Sequence, residues 1–271
     1  MSKDATENFL DSLPEIRPGE SFWFACHPGV PCFNACCGEL TMPLTPYDVL
    51  RLCRGLNMGT DQFFEECAIV GCYEDTGFPL LHLRMEEDQP GKPCPFVTLQ
   101  GCGVYEHRSS ACRTYPLGRA TRQEDGQEGQ AGLREQFFLV REEHCKGFAE
   151  KGEWTVETWL ADQGLEPYNR MNDRYMRLMA RYKSLADGAV LSNKHATMAL
   201  LCLYQQDRFL DFMRQVTLFS RVVFTGEYAQ SPREEVLERI VANPEDRLWF
   251  AFDWMELVLF GQADNLIPAV S

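Results

Sequence analysis

The sequence is short of positive charge, and this lack excludes two classes of partner. Its 271 residues include 26 Lys and Arg against 40 Asp and Glu, which gives a formal net charge of −14. Nucleic-acid phosphates call for a basic face, and anionic lipid surfaces attract clusters of Lys and Arg. The composition therefore predicts that the protein binds neither nucleic acid nor a membrane.

Long apolar segments are also lacking. The first 20 residues contain neither the apolar region nor the small-residue cleavage site of a secretory signal. The most apolar stretch, 248–260, contains Asp253 and Glu256 and is too short to span a membrane. We therefore predict a cytoplasmic location, where stable disulfides are exceptional.

Several familiar catalytic motifs are missing as well. The sequence has no glycine-rich phosphate loop, no G-x-S-x-G, no H-E-x-x-H and no dinucleotide-binding fingerprint. Whether the protein is an enzyme therefore stays open at this point.

What the sequence does have is cysteine, distributed unevenly. Of the 12 cysteines, all but Cys202 lie between Cys26 and Cys145. We predict a cysteine-cluster metal-binding domain over 1–150 and a helical domain over 151–271. The expected fold class is α+β, with short helices and a small antiparallel β element followed by the mostly α-helical domain.

The segment 24–40 crowds four of these cysteines together: Cys26, Cys32, Cys36 and Cys37. Disulfides, buried inert thiols and a metal site are the competing explanations. The compartment argues against disulfides, and the local density argues against thiols that merely fill a core. Metal-binding thiolates often combine a local group with distant partners, so the cluster predicts a metal site.

The adjacent Cys36 and Cys37 suggest more than one metal atom. Successive side chains of an extended chain point to opposite faces. Such a pair would then serve two metal centres or two atoms of one polynuclear cluster. The alternative, a disulfide between neighbours, is strained.

Local signals predict where the main elements begin. Thr45 is expected to cap a helix that has Pro46 first and Asp48 third, and Thr60 is expected to cap a second, short helix. Strands are predicted over 78–85, 95–108 and 135–143, the second broken by a Gly-Cys-Gly turn. The Gly- and Gln-rich segment 121–135 is predicted to be a mobile loop.

The C-terminal part is predicted to be helical from Trp154 onward. Thr155, Ser231 and Asn243 are the expected caps of three helices. The last of them is almost wholly apolar up to Gly261, so we expect it to be buried.

Several stretches, "FACHPGVPCFNACC", "LTPYDVLRL", "CPF", "GCGVYEHR" and "ACRTYPL", followed by a last cysteine, together resemble the YkgJ-type cysteine-cluster family, described as zinc- or iron-chelating. The resemblance covers about residues 22–148. It implies eight metal ligands: Cys26, Cys32, Cys36, Cys37, Cys94, Cys102, Cys112 and Cys145.

Two departures from the family pattern matter. The opening group is C-x5-C-x3-CC, looser than the C-x2-C-x2-CC of many members. It is more similar to a related segment of the flagellin lysine-N-methylases, which keeps a methyltransferase-like enzyme among the alternatives. The second departure, "EHRSSAC" where many members have Arg-Pro before the cysteine, should affect only the local turn.

The kind of metal follows from ligand spacing only in part. Structural zinc favours C-x2-4-C knuckles, and the sequence has no C-x2-C. We therefore predict an iron–sulfur cluster of the [4Fe-4S] type, with zinc as the alternative. The predicted function is redox or electron transfer with a protein partner, and the alternative is a zinc-binding structural or metal-handling module.

Four arginines, Arg108, Arg113, Arg119 and Arg122, surround Cys112 in an otherwise acidic chain. Arg113 directly follows the cysteine, and we predict that it contacts the cofactor. The other interpretation is that these arginines are solvated surface residues.

The remaining histidines and cysteines are assigned simpler roles. His27, His107 and His144 are expected near the metal site or in solvent, without binding the metal. Cys53 and Cys202 are predicted to be core residues. Cys67 and Cys72 are expected to be core or surface thiols.

Overall fold

The computed structural model describes residues 14–17, 19–124, 132–185 and 188–269, without the side chains of 122–124 and 132–134. The chain divides into two compact units. Unit 1 consists of Met1–Gly38, Val97–Gly103 and Ser110–Glu166, and unit 2 of Glu39–Phe96, Val104–Ser109 and Pro167–Ser271. The sequence predicted two separately folding domains that meet at residue 150. The two compact units do not show which parts of the chain fold separately, so this boundary stays a prediction.

Unit 1 is built from short antiparallel pairs and two short helices. Its strands are β1 (Ser21–Trp23), β5 (Val97–Thr98), β6 (Gly101–Cys102), β7 (Leu117–Glu124), β8 (Gly132–Leu139) and β9 (Glu153–Thr155). Its helices are α3 (Ser110–Thr114) and α4 (Val156–Asp162). β1 pairs with β9, β5 with β6 and β7 with β8, all antiparallel.

An aromatic core holds unit 1 together. Phe22, Phe24 and Trp159 are buried with Leu117, Phe137 and Val156. The Phe24 and Trp159 rings meet edge to face at 5.6 Å between centroids. Because rings prefer this geometry and bury large apolar areas, the cluster fixes the positions of the chain segments that carry it.

Unit 2 contains most of the helices. They are α1 (Pro46–Leu56), α2 (Thr60–Cys67), α5 (Glu166–Leu185), α6 (Asn193–Ala199), α7 (Gln206–Gln215), α8 (Arg233–Ala242) and α9 (Pro244–Phe260). A three-stranded sheet has the order β2 (Pro43–Leu44), β4 (Pro79–Leu83) and β3 (Ala68–Cys72), and β10 (Val222–Phe224) pairs with β11 (Leu266–Pro268). The α+β fold class is confirmed.

Capping explains where α1 and α9 begin. The Thr45 hydroxyl accepts from the Asp48 N–H while the Asp48 carboxylate accepts from the Thr45 N–H, as the capping box predicts. Asn243 caps α9, which ends at Gly261 in the left-handed conformation. The buried character expected of the last helix is confirmed, because its apolar side chains include fully buried Phe250 and Phe252.

Three local predictions were wrong. Thr60 is the first residue of α2, after Gly59, and its N–H and hydroxyl donate to the Asp207 carboxylate at 2.8 and 2.9 Å. Ser231 does not cap α8, which starts after Pro232. In the 95–108 segment the chain turns at 99–100, so that Gly101 and Cys102 lie in a strand.

The predicted loop 121–135 is also partly wrong. β7 and β8 pair from Leu117 with Leu139 to Glu124 with Gly132. The flanks of the segment are therefore strand, and its centre, 125–131, lies outside the described residues.

None of the helices in the described part of the chain combines the length and apolarity needed to cross a bilayer.

Candidate metal centre

The first cysteine group lies on a coiled segment of consecutive turns. Backbone hydrogen bonds run from Val30 to His27, from Ala35 to Cys32 and from Cys37 to Asn34, at 2.9 to 3.0 Å. Tight turns of this kind bring residues a few positions apart to the same side of the chain. The segment is therefore not extended, and the extended conformation assumed for Cys36 and Cys37 was wrong.

Two contacts anchor this segment within unit 1. The Asn34 side-chain amide donates to the Thr98 carbonyl oxygen at 2.8 Å. Phe33 lies against Gly101, where an added Cβ atom would be 3.1 Å from the ring. The hairpin of β5 and β6 thus packs beside the cysteine turns.

A second set of contacts brings the chain after β8 to the same place. The Ala25 N–H donates to the Gly147 carbonyl at 3.1 Å, and the Phe24 N–H donates to that of Gly152 at 2.7 Å. The approach at Gly147 is so close that a Cβ atom there would lie 2.7 Å from the Ala25 oxygen. Cys145 is therefore held next to Cys26, although 119 positions separate the two residues in the sequence.

These contacts gather four thiols around one cavity. Cys26, Cys32, Cys36 and Cys145 line a cavity of about 40 Å³, together with His144 and Tyr115. None of the four is in a disulfide. The backbone N–H of Lys146 donates to the Cys32 sulfur at 3.1 Å, a contact that stabilises negative charge on sulfur.

The Cys26 thiol is affected first by its burial and then by the neighbouring thiols. Burial and the nearby thiols of Cys36, Cys32 and Cys145 raise the pKa of Cys26 to about 11. Several thiolates cannot be close together without a compensating positive charge. A bound cation would supply that charge, so the donor set fits a metal.

Cys36 and Cys37 have different surroundings. A hydrogen bond from the Cys37 thiol lowers the pKa of Cys36 to about 6, and His144 acts in the same direction. Cys37 lies outside the lining of the cavity. The strained disulfide between the two neighbours is not formed, since Cys36 keeps its thiol.

The other implied ligands are not gathered at the cavity. Cys102 is in β6 opposite Val97, and Cys112 is exposed in α3. Cys94 belongs to unit 2 and is half-buried. The part these three play in metal binding stays a prediction.

Across the described residues, no three or more His, Cys, Asp or Glu side chains form, as they are placed, a group that could hold a metal ion. The four thiols share a cavity without being set at coordination distance. A cysteine sulfur can change position by rotation about a single bond between staggered positions.

Two of the arginines near Cys112, Arg108 and Arg113, are buried and are therefore not solvated surface residues. Arg113 is buried, and its guanidinium donates to the Gln163 carbonyl at 2.5 Å. Arg108 is buried as well and stacks on the Tyr105 ring, while Arg119 pairs with Glu135. The side chain of Arg122 lies outside the described residues. The predicted contact of Arg113 with a cofactor is not tested by these contacts.

The simpler assignments hold for most of the other residues. Cys53, Cys67 and Cys202 are buried and Cys72 is exposed, as expected. His27 is exposed and lies 3.5 Å from Glu150. His107 is in unit 2, where its ring lies 3.4 Å from the Arg51 guanidinium.

Two features of the centre were missed by sequence reasoning. Tyr115 and the N–H of Lys146 both reach the cysteines through the fold. Nearness in sequence to Cys112 and to Cys145 was the available signal, but it does not distinguish these residues from their neighbours.

Comparisons with known proteins bear on the same segment. Residues 25–151 match the family model CxxCxxCC, "Putative zinc- or iron-chelating domain". All eight implied ligands lie within the matched range. Neither curated proteins nor solved structures give a significant match. Over residues 25–151, the chain is therefore similar to the cysteine-cluster family that its motifs resemble.

Proposed function

We propose that unit 1 binds a metal through the thiolates of Cys26, Cys32, Cys36 and Cys145. The observation that carries this proposal is the convergence of these four thiols on one cavity. Four thiolates are a complete ligand set for zinc, for iron or for an iron–sulfur cluster.

The size of the cavity favours a single ion. At about 40 Å³ it exceeds the roughly 10–15 Å³ that one buried water molecule needs, so it has room for one small ion. Metal–sulfur bonds of about 2.3 Å suit such a space. The first candidate is therefore a mononuclear zinc or iron centre with a structural or metal-handling role in the cytoplasm.

The second candidate is an iron–sulfur cluster, of the [4Fe-4S] type, in an electron-transfer protein. Unit 1 holds three further family cysteines, Cys37, Cys102 and Cys112, more than one ion needs. The N–H of Lys146 on the Cys32 sulfur is the kind of contact that tunes cluster potentials. The function would then be one-electron exchange with a protein partner.

Elemental analysis and the visible spectrum of protein purified without oxygen separate the two candidates. One equivalent of zinc without visible absorption supports the mononuclear centre. A brown protein that bleaches with dithionite supports the cluster. Protein that contains no metal after either zinc or ferrous iron has been supplied would refute both.

Single substitutions test which thiols bind. Cys26→Ser and Cys145→Ser should each lose most of the metal, because each removes one of the four ligands. Cys72→Ser is the matched control, since Cys72 is an exposed thiol in unit 2. Equal metal content in all three variants would contradict the proposed ligand set.

A methyltransferase-like enzyme, the remaining alternative, requires a site for a methyl donor. Titration calorimetry with S-adenosylmethionine tests it directly. Binding would support this alternative, and its absence would leave the metal-binding roles.

A further inference from the structure

Tyr115 lines the thiol cavity from the chain between α3 and β7. Its ring packs edge to face against Phe24 at 5.7 Å between centroids. The hydroxyl oxygen is buried without a well-formed hydrogen bond, and the polar side chain that it approaches is the Cys145 thiol. Buried hydroxyl groups in folded proteins are normally hydrogen-bonded, so this one calls for an explanation.

The neighbours of this hydroxyl include cysteine thiols. Burial, together with the neighbouring thiols of Cys145 and Cys36, raises the pKa of Tyr115. A tyrosine hydroxyl, with an ordinary pKa of about 10, carries its proton at neutral pH and is a hydrogen-bond donor. A thiol is a weak acceptor, whereas a thiolate is a charged and much stronger one.

Resting on the metal centre proposed above, we propose that the Tyr115 hydroxyl donates a hydrogen bond to the Cys145 sulfur once that sulfur is a metal-bound thiolate. On binding, the Cys145 S–H bond breaks, its proton leaves to solvent and a metal–sulfur bond forms. The phenol keeps its own proton throughout. Tyr115 is thus a positioning residue for the centre.

The donor is already in place before metal binds. Tyr115 and Cys145 both pack against the aromatic core of unit 1, which also contains Phe24. The Cys32 sulfur already receives the Lys146 N–H. Two of the four sulfurs then have a donor supplied by this chain, and such outer contacts orient ligands and adjust their charge.

Tyr115→Phe removes the hydroxyl and keeps the ring. Zn²⁺ affinity is measured by competition with a chromophoric chelator, and Co²⁺ is used as a spectroscopic probe of the thiolates. We expect the affinity for Zn²⁺ to fall by about tenfold to a hundredfold. The thiolate-to-Co²⁺ charge-transfer band should move to lower energy, because the Cys145 sulfur loses a hydrogen bond.

In the metal-free protein, Tyr115→Phe is expected to leave the stability unchanged or to increase it. Without metal, the wild-type hydroxyl is buried beside the Cys145 thiol, which is only a weak acceptor, so the metal-free Tyr115→Phe protein should unfold at the same denaturant concentration as wild type or at a higher one. A merely structural role for Tyr115 would instead lower the unfolding midpoint of both forms.

Tyr228→Phe is the matched control, since Tyr228 is also buried but belongs to unit 2. It should leave the affinity and the band unchanged. The inference is overturned if Tyr115→Phe keeps wild-type affinity and band energy, or if the control loses as much affinity. If wild type binds neither ion, the proposed metal centre itself fails, and this inference with it.

Discussion

The sulfurs of Cys36 and Cys37 belong to consecutive residues but have different environments. Cys36 lines the cavity, and Cys37 hydrogen-bonds to it from outside the lining. In the proposed centre, Cys36 is a ligand and Cys37 is a neighbour that supports it. The prediction that Cys37 binds a second metal atom stays open beside this proposal.

Separate substitutions distinguish these roles. Cys36→Ser should reduce the bound metal to a small fraction of an equivalent, because one of four thiolates is gone. Cys37→Ala should keep full stoichiometry and lose only affinity. The measurement is metal content after gel filtration, and an equal loss in both variants would point instead to two centres.

Gly147 is the residue that allows the two halves of the centre to meet. A Cβ atom there would lie 2.7 Å from both the Ala25 oxygen and the Phe24 ring. We expect Gly147→Ala to lower the free energy of unfolding of the metal-free protein by about 1–3 kcal/mol, the usual cost of overpacking.

Gly71→Ala is the control for this experiment, because a Cβ atom there meets only an ordinary contact at 3.5 Å. Denaturant unfolding measures both variants. Similar midpoints for the two would show that the chain relaxes at Gly147 and that the close approach is unimportant.

Among the elements, α5 and α9 are joined by a buried charge group. The Arg174 guanidinium donates to Glu256 at 2.6 and 2.9 Å and to Asp253 at 2.9 Å. Asn265 donates to both oxygens of Asp253 as well. Burial raises the pKa of Asp253, and Arg174 opposes that rise.

Arg174→Met should destabilise the protein by about 3–5 kcal/mol at pH 7, since it leaves buried Asp253 without its cation and leaves Glu256 with only the more distant Arg181, at 3.9 Å. The pKa of Asp253 should then rise further. A carboxyl with a higher pKa in the folded than in the unfolded state favours folding at low pH, and that contribution is lost as pH rises through the folded pKa.

The loss of stability caused by Arg174→Met should therefore become smaller as pH falls from 7 toward about 4, the usual pKa of the unfolded aspartate. Unfolding at several pH values measures this trend. Arg177→Met, an exposed position on the same helix, should change stability by less than about 0.5 kcal/mol. If the loss of stability in Arg174→Met did not depend on pH, the buried carboxylates would not be its cause.

Elements marked by short-range signals were predictable, and those made by distant contacts were not. Thr45 and Asn243 cap their helices because the groups involved are two or three residues apart. The Thr60 hydroxyl instead donates a hydrogen bond to Asp207, which is 147 residues away in the sequence. The β7–β8 pairing was missed because its sequence is polar and its hydrogen bonds join separate strands.

The same division applies to the metal centre. Three of its four proposed ligands stand in one local group, which the spacing of cysteines makes visible. Cys145 was implied by resemblance to a family, and only packing on Phe24 and Phe148 brings its segment to that group. The Tyr115 hydroxyl is a consequence of tertiary structure alone.

At the scale of the whole molecule, the metal should stabilise the unit that binds it. A ligand bound only by the folded form adds about 2.7 kcal/mol at a free concentration of 100 times its Kd. Trp23, Trp154 and Trp159 belong to unit 1, and the other two of the five tryptophans belong to unit 2.

Tryptophan fluorescence of the double variant Trp249→Phe, Trp254→Phe therefore reports on unit 1 within the full chain. Its unfolding midpoint should rise when Zn²⁺ is added and should fall back with a chelator. The same variant carrying Cys26→Ser should not respond. If the unfolding midpoint of the double variant with Cys26 intact did not change with Zn²⁺, a metal centre in unit 1 would be contradicted.

The contact between the Lys146 N–H and the Cys32 sulfur joins residues that are 114 positions apart. A ribosome adds about 5–20 residues each second, so on the order of ten seconds pass between the synthesis of the first sulfurs and that of the last. During this interval the nascent chain carries an incomplete ligand set. With the four proposed ligands, the metal site would be complete only after Cys145 has emerged, so metal capture would be a late event of biogenesis.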